Sequence, residues 1–318
     1  MIERLLRRRQ GEEEERRAYR FRNVEKQFIE RRFAGPRVHT EQLDGLRIAH
    51  ITDMHVGRIT PIEAQYEAVR RVNEGKADAV AITGDFVCHS TLFLDELQSV
   101  IERIDAPVFC VLGNHDYWSD AKEVRWALRR AGAEVLDNAH TTITLRRQAL
   151  QVVGLDDAYT GHADREKATK GLRRDRATLG LSHIGEEADG LWQLGVPLVL
   201  SGHTHAGQIT VARLHELSVG RVAGHRYVHG LYGTRAAEEV GGAVYVGAGV
   251  GAAVIGLRIG ERAKREVTFF ELGEDAAGVD ESHGEQLALR GRKPSERTKQ
   301  RRRRAVLKKA KKRERRSR

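Results

Sequence analysis

Five short polar clusters stand out as able to do chemistry together. They are Asp53-Met54-His55, Gly84-Asp85, Gly113-Asn114-His115-Asp116, Ser182-His183 and Gly202-His203-Thr204-His205. They offer carboxylates, an amide oxygen and imidazoles, and no thiolate. Such donors suit Mn, Fe, Zn or Mg in a reactive site rather than a structural zinc. A carboxylate bridging two such cations would hold them about 3.5–4 Å apart. The pair would clamp a phosphoryl group and acidify a bridging water, which attacks phosphorus in line as hydroxide. A further imidazole outside the metal shell would protonate the leaving oxygen. A lone Asp at a strand end is more often a turn former or a cap, and a lone His more often surface or core. Capping does not explain five clusters in this order.

Each cluster closes an apolar run. LRIAHITD (46–53), ADAVAITGD (77–85) and APVFCVLGNHD (106–116) read as strands. Between and after them, PIEAQYEAVRRVNEG (61–75), TLFLDELQSVIERI (91–104) and AKEVRWALRRAG (121–132) have helical period. Pro61 suits a first helical turn and Gly75 a helix end. Near-continuous apolar strands imply burial on both faces, and the alternation implies an α/β chain with a parallel or mixed sheet under covering helices. Ligand sites in such sheets form beyond the carboxyl ends of the strands, where these clusters fall. After about residue 133 the character changes. TTITL, QALQVVGL, ATLGLSH, PLVLSGHTH, QITV, GAVYVGAGVG and EVTFFEL read as strands with fewer helices between them, which predicts a second sheet packed on the first.

The chain has 318 residues, enough for one sizeable core. Its two cysteines, Cys88 and Cys110, sit in apolar or near-apolar runs and read as buried thiols, not a disulfide framework. No run approaches the roughly 20 apolar residues of a membrane-spanning helix. The charged start, MIERLLRRRQGEEEERR, has no apolar signal core, so the cytoplasm is the expected place, with peripheral membrane contact as a variant of it. The net charge of +10 divides unevenly. Residues 290–318 hold 17 Lys or Arg against two Glu, which leaves −5 for everything before them.

The order D-x-H, GD, GNHD, SH, GHTH resembles the calcineurin-like metallophosphoesterases. HITDMHVG (50–57) and GHTHAGQ (202–208) are most similar to the bacterial YkuE/YaeI-like phosphodiesterase branch. The resemblance covers about residues 43–272. It implies a four-layer α/β/β/α sandwich of two mixed sheets. It implies that Asp53, His55 and His205 hold a first metal, that Asp85 bridges, and that Asn114, His183 and His203 hold a second, with Mn favoured. It further implies that His115 contacts the phosphate as general acid and that Asp116 orients it. Ser182-His183-Ile184-Gly185 stands where the family often has SHNP, and the stretch near Gly256-Leu257-Arg258 lacks a proline often found there. Neither departure removes a ligand.

Three zones follow. Residues 1–36 read as a charged helical segment with a weak stripe of Phe21, Val24, Phe28 and Phe33; 37–273 as the metallophosphoesterase domain; 274–318 as an acidic linker and a disordered basic tail. The tail would contact a polyanion or an anionic membrane without base stacking, since it has no aromatic residue. The expected function is a dinuclear metal-dependent phosphohydrolase, foremost a phosphodiesterase acting on a small phosphoester. A phosphomonoesterase, a nucleotide-lipid pyrophosphatase and a binding module with a retained metal site are the alternatives. Among the other histidines, His50 reads as packing and His89 as a candidate pocket residue. His140, His162, His215, His225, His229 and His283 read as surface or loop. Tyr159 and Arg258 are weighed as substrate contacts without being assigned.

Overall fold

The computed structural model describes residues 23–207, 223–236, 241–252, 258, 260–291 and 294–314. Within them two six-stranded sheets form. The first runs β1 (Phe28–Ala34), β12 (Arg265–Leu272), β2 (Leu46–Ile51), β3 (Ala79–Thr83), β4 (Val108–Val111), β5 (Glu134–Val135). In it β2 to β5 are parallel, β12 is antiparallel to β2, and β1 is parallel to β12. The second runs β10 (Gly230–Gly233), β11 (Ala243–Val246), β9 (Leu198–Ser201), β8 (Thr178–Leu181), β7 (Gln148–Gly154), β6 (Ala139–Leu145). Its four central strands are parallel, with an antiparallel strand at each edge.

Residue alternation along the strands sets the layers. Ala79 and Ala81 face the other sheet, whereas Val80 and Ile82 face helices. The helices α1 (Ile62–Glu74), α2 (Leu94–Ile101) and α4 (Ala121–Arg130) cover the first sheet through Val69, Val72, Leu97, Ile101, Val124 and Leu128. The short α3 (Asn114–Ser119) sits at the end of β4. Ile48, Phe109 and Val111 meet Leu179, Leu198 and Leu200 between the sheets. On the far side, α5 (Arg165–Thr169) and α6 (Ala188–Gln193) pack Ala168 and Leu191 on Val153, Val199 and Val244. Three apolar interfaces separate four layers, helix, sheet, sheet, helix. This is the architecture that the resemblance implies.

The flanks differ from the expectation. Phe28 and Phe33 lie in β1, not in a helix, because the edge of β12 offers seven paired positions and both faces bury a ring. Residues 1–22, with Phe21, lie outside the described residues, as do 208–211 of QITV and His215. Residues 274–289 are no free linker. Glu281 accepts from Ala34 N–H at 2.8 Å and pairs with Arg235, and Gln286 N–H donates to Leu231 at 2.8 Å. That strap joins the edge strands of the two sheets. The basic tail is not disordered throughout, since Glu296–Glu314 forms a helix, α7. Too polar to bury a core of its own, it gains one by lying on the body, where Val306 is buried. His229, read as surface or loop, is buried with Nε2 2.9 Å from Glu266, which also takes Arg31 at 2.8 Å and the Tyr245 hydroxyl at 2.6 Å.

His39, in the turn after Pro36, is fully buried, and its Nε2 accepts from Thr178 N–H at 3.4 Å. Burial lowers its pKa from the ordinary 6.5 to about 4. Between those values the unfolded chain binds a proton that the folded chain refuses, so His39 adds a stability that rises with pH and levels off above about 6.5. His39→Gln keeps an acceptor and removes the titration. Urea unfolding should show the gap between wild type and variant shifting by about 2 kcal/mol, against the wild type, from pH 7.5 to pH 5. A constant gap would contradict this account.

Candidate metal centre

The ends of β2 and β3 are tied to each other by backbone bonds, and the end of β4 joins them through the Asp85 side chain. Asp53 N–H donates to Gly84 at 3.0 Å, and His55 N–H to the Asp85 carbonyl at 2.9 Å. From the second sheet, Gly202 N–H donates to the His183 carbonyl at 3.2 Å. The chain turns sharply at each end. Asp53, His55, Asp85, His203 and His205 have φ of 49°, 45°, 55°, 76° and 51°. Residues with a Cβ rarely adopt this left-handed region, at a cost of order 1–3 kcal/mol each, and tend to do so at functional sites. Two glycines allow the crowding. A Cβ on Gly113 would fall 2.3 Å from Asp85 Oδ1, and one on Gly202 would fall 2.0 Å from Thr52 Oγ1.

These turns bring the predicted ligands together. Asp53, His55, Asp85 and His205 form one group of facing ligand atoms, and Asp85, His183 and His203 a second, so Asp85 belongs to both. His55 Nε2 and His205 Nε2 face each other at 2.9 Å, and His205 Nε2 lies 3.3 Å from Asp53 Oδ1. Asp85 Oδ2 is 3.4 Å from His183 Nε2, 3.6 Å from His55 Nε2 and 3.9 Å from His115 Nε2. Its other oxygen accepts the His115 backbone N–H at 2.8 Å. Asn114, the first residue of α3, is buried, and its Oδ1 has no hydrogen-bond partner among the described residues.

The electrostatics are those of acids and bases packed together in a buried site. Burial, with the nearby Asp85 charge, pushes Asp53 up to about 7. Burial lowers His55 to about 3 and takes His203 and His205 well below their ordinary value. Neutral imidazoles are what a cation needs. His183 goes the other way, to about 10, because Asp85, Asp53 and Asp157 outweigh its burial. Asp85 itself stays well below the carboxylate range, its burial overcome by His183, His115 and His55. A cation beside Asp85 would replace the His183 proton. His183 Nδ1 lies 2.7 Å from the Thr83 carbonyl, which fixes Nδ1 as the donor and turns Nε2 toward the centre. The orphaned Asn114 oxygen and this donor set fit divalent metal ions.

Asp116 takes a different place from the orienting role that the resemblance implies. One carboxylate oxygen accepts Phe86 N–H at 2.9 Å and Val87 N–H at 3.2 Å, and the other accepts Gly113 N–H at 2.9 Å. It pins the loop after β3 to the start of α3. The His115 ring sits instead among His55, His89 and Trp118, with centroids at 4.7, 4.3 and 4.7 Å. Arg258 spends its guanidinium on the carbonyls of Ala248 and Ala263, at 2.9 and 3.0 Å, and on that of Gly251.

Cys88 and Asp157 escape sequence reasoning. The Cys88 sulfur lies in a group with His55 and His115. Burial and the Asp85 charge raise its thiol pKa, which favours the protonated thiol when no cation lies beside it. Asp157, one residue beyond Asp156 at the end of β7, is buried and accepts the N–H of Tyr159 at 3.1 Å and of Thr160 at 2.7 Å. The pair Asp156-Asp157 after an apolar strand is the same strand-end signal as the other clusters, without a histidine to mark it.

Fold and site together define a hydrolase of the metal-assisted type. Residues 46–207 match the family model of the calcineurin-like phosphoesterases, and the chain belongs to that family, which acts on phosphoester bonds. It is similar to the metallophosphoesterase YkuE of Bacillus subtilis, 29% identical over 72% of this chain and 79% of that one. It is similar to the phosphodiesterase YaeI of Escherichia coli, 30% identical over 71% and 82%. A transmembrane protein with a metallophosphoesterase domain from Danio rerio is 30% identical over 70% of this chain and 53% of its own length. No helix among the described residues is long and apolar enough to cross a membrane.

Asp116 tests the backbone-pinning role. Asp116→Ala leaves three buried N–H groups without an acceptor and should cost about 3 kcal/mol of stability by chemical unfolding. A loss under about 0.5 kcal/mol would show that these bonds do not hold the loop.

Proposed function

We propose that this protein is a phosphodiesterase working with two divalent cations, Mn favoured, on a small phosphoester. The observation that carries the reading is a single carboxylate, Asp85, shared by two ligand groups with the His115 imidazole beside it. Asp53, His55 and His205 would hold one cation, Asn114, His183 and His203 the other, and Asp85 both. Bound cations would supply positive charge to the phosphoryl oxygens and acidify water. The residues themselves do the rest. The backbone bonds to Asp53 and Asp85 hold the carboxylates in position before substrate arrives, so little reorganisation is needed in the reaction. His115 stands against the aromatic side of the site, where its Nε2 would donate a proton to the leaving oxygen. Similarity to YaeI, named a phosphodiesterase, supports the ester class.

Purified protein with added Mn²⁺ should hydrolyse bis(4-nitrophenyl) phosphate faster than 4-nitrophenyl phosphate, and chelator should stop both. Metal analysis should give two cations per chain, with Asp85→Asn losing metal and turnover together. His115→Ala should keep its metal and lose about 10²- to 10⁴-fold in kcat. Preference for the monoester would move the reading to a phosphomonoesterase. A wild-type protein without bound metal and without turnover would leave only a binding module.

A further inference from the structure

Two aromatic contacts connect the metal-ligand cluster to the basic helix. The Tyr159 ring lies 5.2 Å from that of His203. On α7, Arg302 Cζ sits 3.7 Å from the Tyr159 centroid. The tyrosine is held there from behind, since buried Asp157 accepts its N–H and that of Thr160, and Trp118 meets its ring edge-on at 5.9 Å. Beside it opens a cavity of about 760 Å³. Tyr159, Ile184 and His225 wall it on the side of the centre, and Arg290, Lys299 and Arg302 on the other. The His225 ring is 5.2 Å from that of His203, so the cavity abuts a predicted ligand.

The charge in this cavity is one-sided. Its carboxylates are engaged, Glu186 by His225 at 3.2 Å and Arg226 N–H at 2.8 Å, and Glu187 by Arg165 at 2.5 Å. Lys299 shares an exposed pair with Glu296 at 2.8 Å, which solvent weakens. Arg290 and Arg302 have no carboxylate within ion-pair distance among the described residues. A guanidinium laid on a tyrosine face is already ordered, and its N–H edges remain available to a phosphate. The volume is that of a small-molecule site.

We propose that this cavity is a subsite for a second anionic group of the substrate, with Arg302 as its principal recognition residue. The substrate class is then a small phosphodiester that carries a further phosphate on one arm. The proposal rests on the phosphodiesterase reading above and adds the basic helix to the substrate-binding surface. Residues 290–318, which include this helix and Arg290, hold the positive excess of the chain, while the residues before 290 carry −5.

The test compares two esters on full-length, Mn-supplemented protein: thymidine 5′-(4-nitrophenyl phosphate) with and without a 3′-phosphate. Wild type should prefer the phosphorylated ester in kcat/KM, and Arg302→Ala should cut that preference about tenfold, mainly through KM, with Arg302→Lys in between. Arg130→Ala, a guanidinium stacked on Trp126 on the outer helix α4, should leave the preference intact. An unchanged preference in Arg302→Ala overturns the proposal. So does an equal rise in rate on both esters, which would make the helix a cover over the site. So does an Arg302→Ala variant that weakens single-stranded DNA binding alone, which would make it a nucleic-acid surface. If wild type turns over neither ester, the phosphodiesterase reading fails, and the subsite is judged by calorimetry in chelator. There thymidine 3′,5′-bisphosphate should bind wild type about tenfold tighter than Arg302→Ala, and equal affinities would refute the subsite.

Discussion

Asp85 is a carboxylate with about 1% of its surface exposed, set where the strand ends of two sheets meet. Removing such a charge from water costs several kcal/mol unless something nearby compensates. The compensation is built from both sheets at once. His55 and His115 approach from the first sheet and His183 from the second, and the His115 amide adds a direct hydrogen bond. Much of the local structure follows from seating that group. β3 must stop at Thr83, the chain must turn left-handed at Asp85, and the facing position must be a glycine, Gly113.

The two-sheet core decides whether the centre exists at all. Asp53, His55, Asp85 and Asn114 come from the first sheet, and His183, His203 and His205 from the second. Neither sheet offers a full set of donors. The packing of Ile48, Phe109 and Val111 on Leu179, Leu198 and Leu200 therefore acts on the chemistry directly, by holding the two half-sites in register. A second buried charge, Glu266, ties the same layers at the edge through Arg31, His229 and Tyr245. Charged networks of this kind are strong constraints on geometry even where their net stabilisation is small.

The flanking segments show the same division between charge and shape. The alkaline balance of the whole chain belongs to the C-terminal residues, while the candidate ligand residues sit in a mildly acidic body. Through the strap at 274–289 and the Arg302–Tyr159 contact, those basic residues return to the rim of the centre. The tail is thus continuous with the site in space though remote from it in sequence.

Five polar clusters, their order and their place at the ends of apolar strands were legible from residues alone, because alternation, helical period and turn residues act over a few neighbours. So were the β2–α1–β3–α2–β4–α4 rhythm and the existence of a second sheet. Other features depend on which distant segments meet. His55 and His205 face each other across 150 residues, and no local pattern encodes that approach. Packing alone decided that Asp116 binds backbone amides in place of the neighbouring imidazole, that Cys88 lies beside His115, and that Phe28 and Phe33 belong to a strand. It also turned a charge run that could not fold by itself into a helix resting on Tyr159. Residue types and spacing determined which groups are available and where each strand ends. Tertiary structure determined which of them share Asp85, because burying one carboxylate requires partners that only the closed pair of sheets can bring.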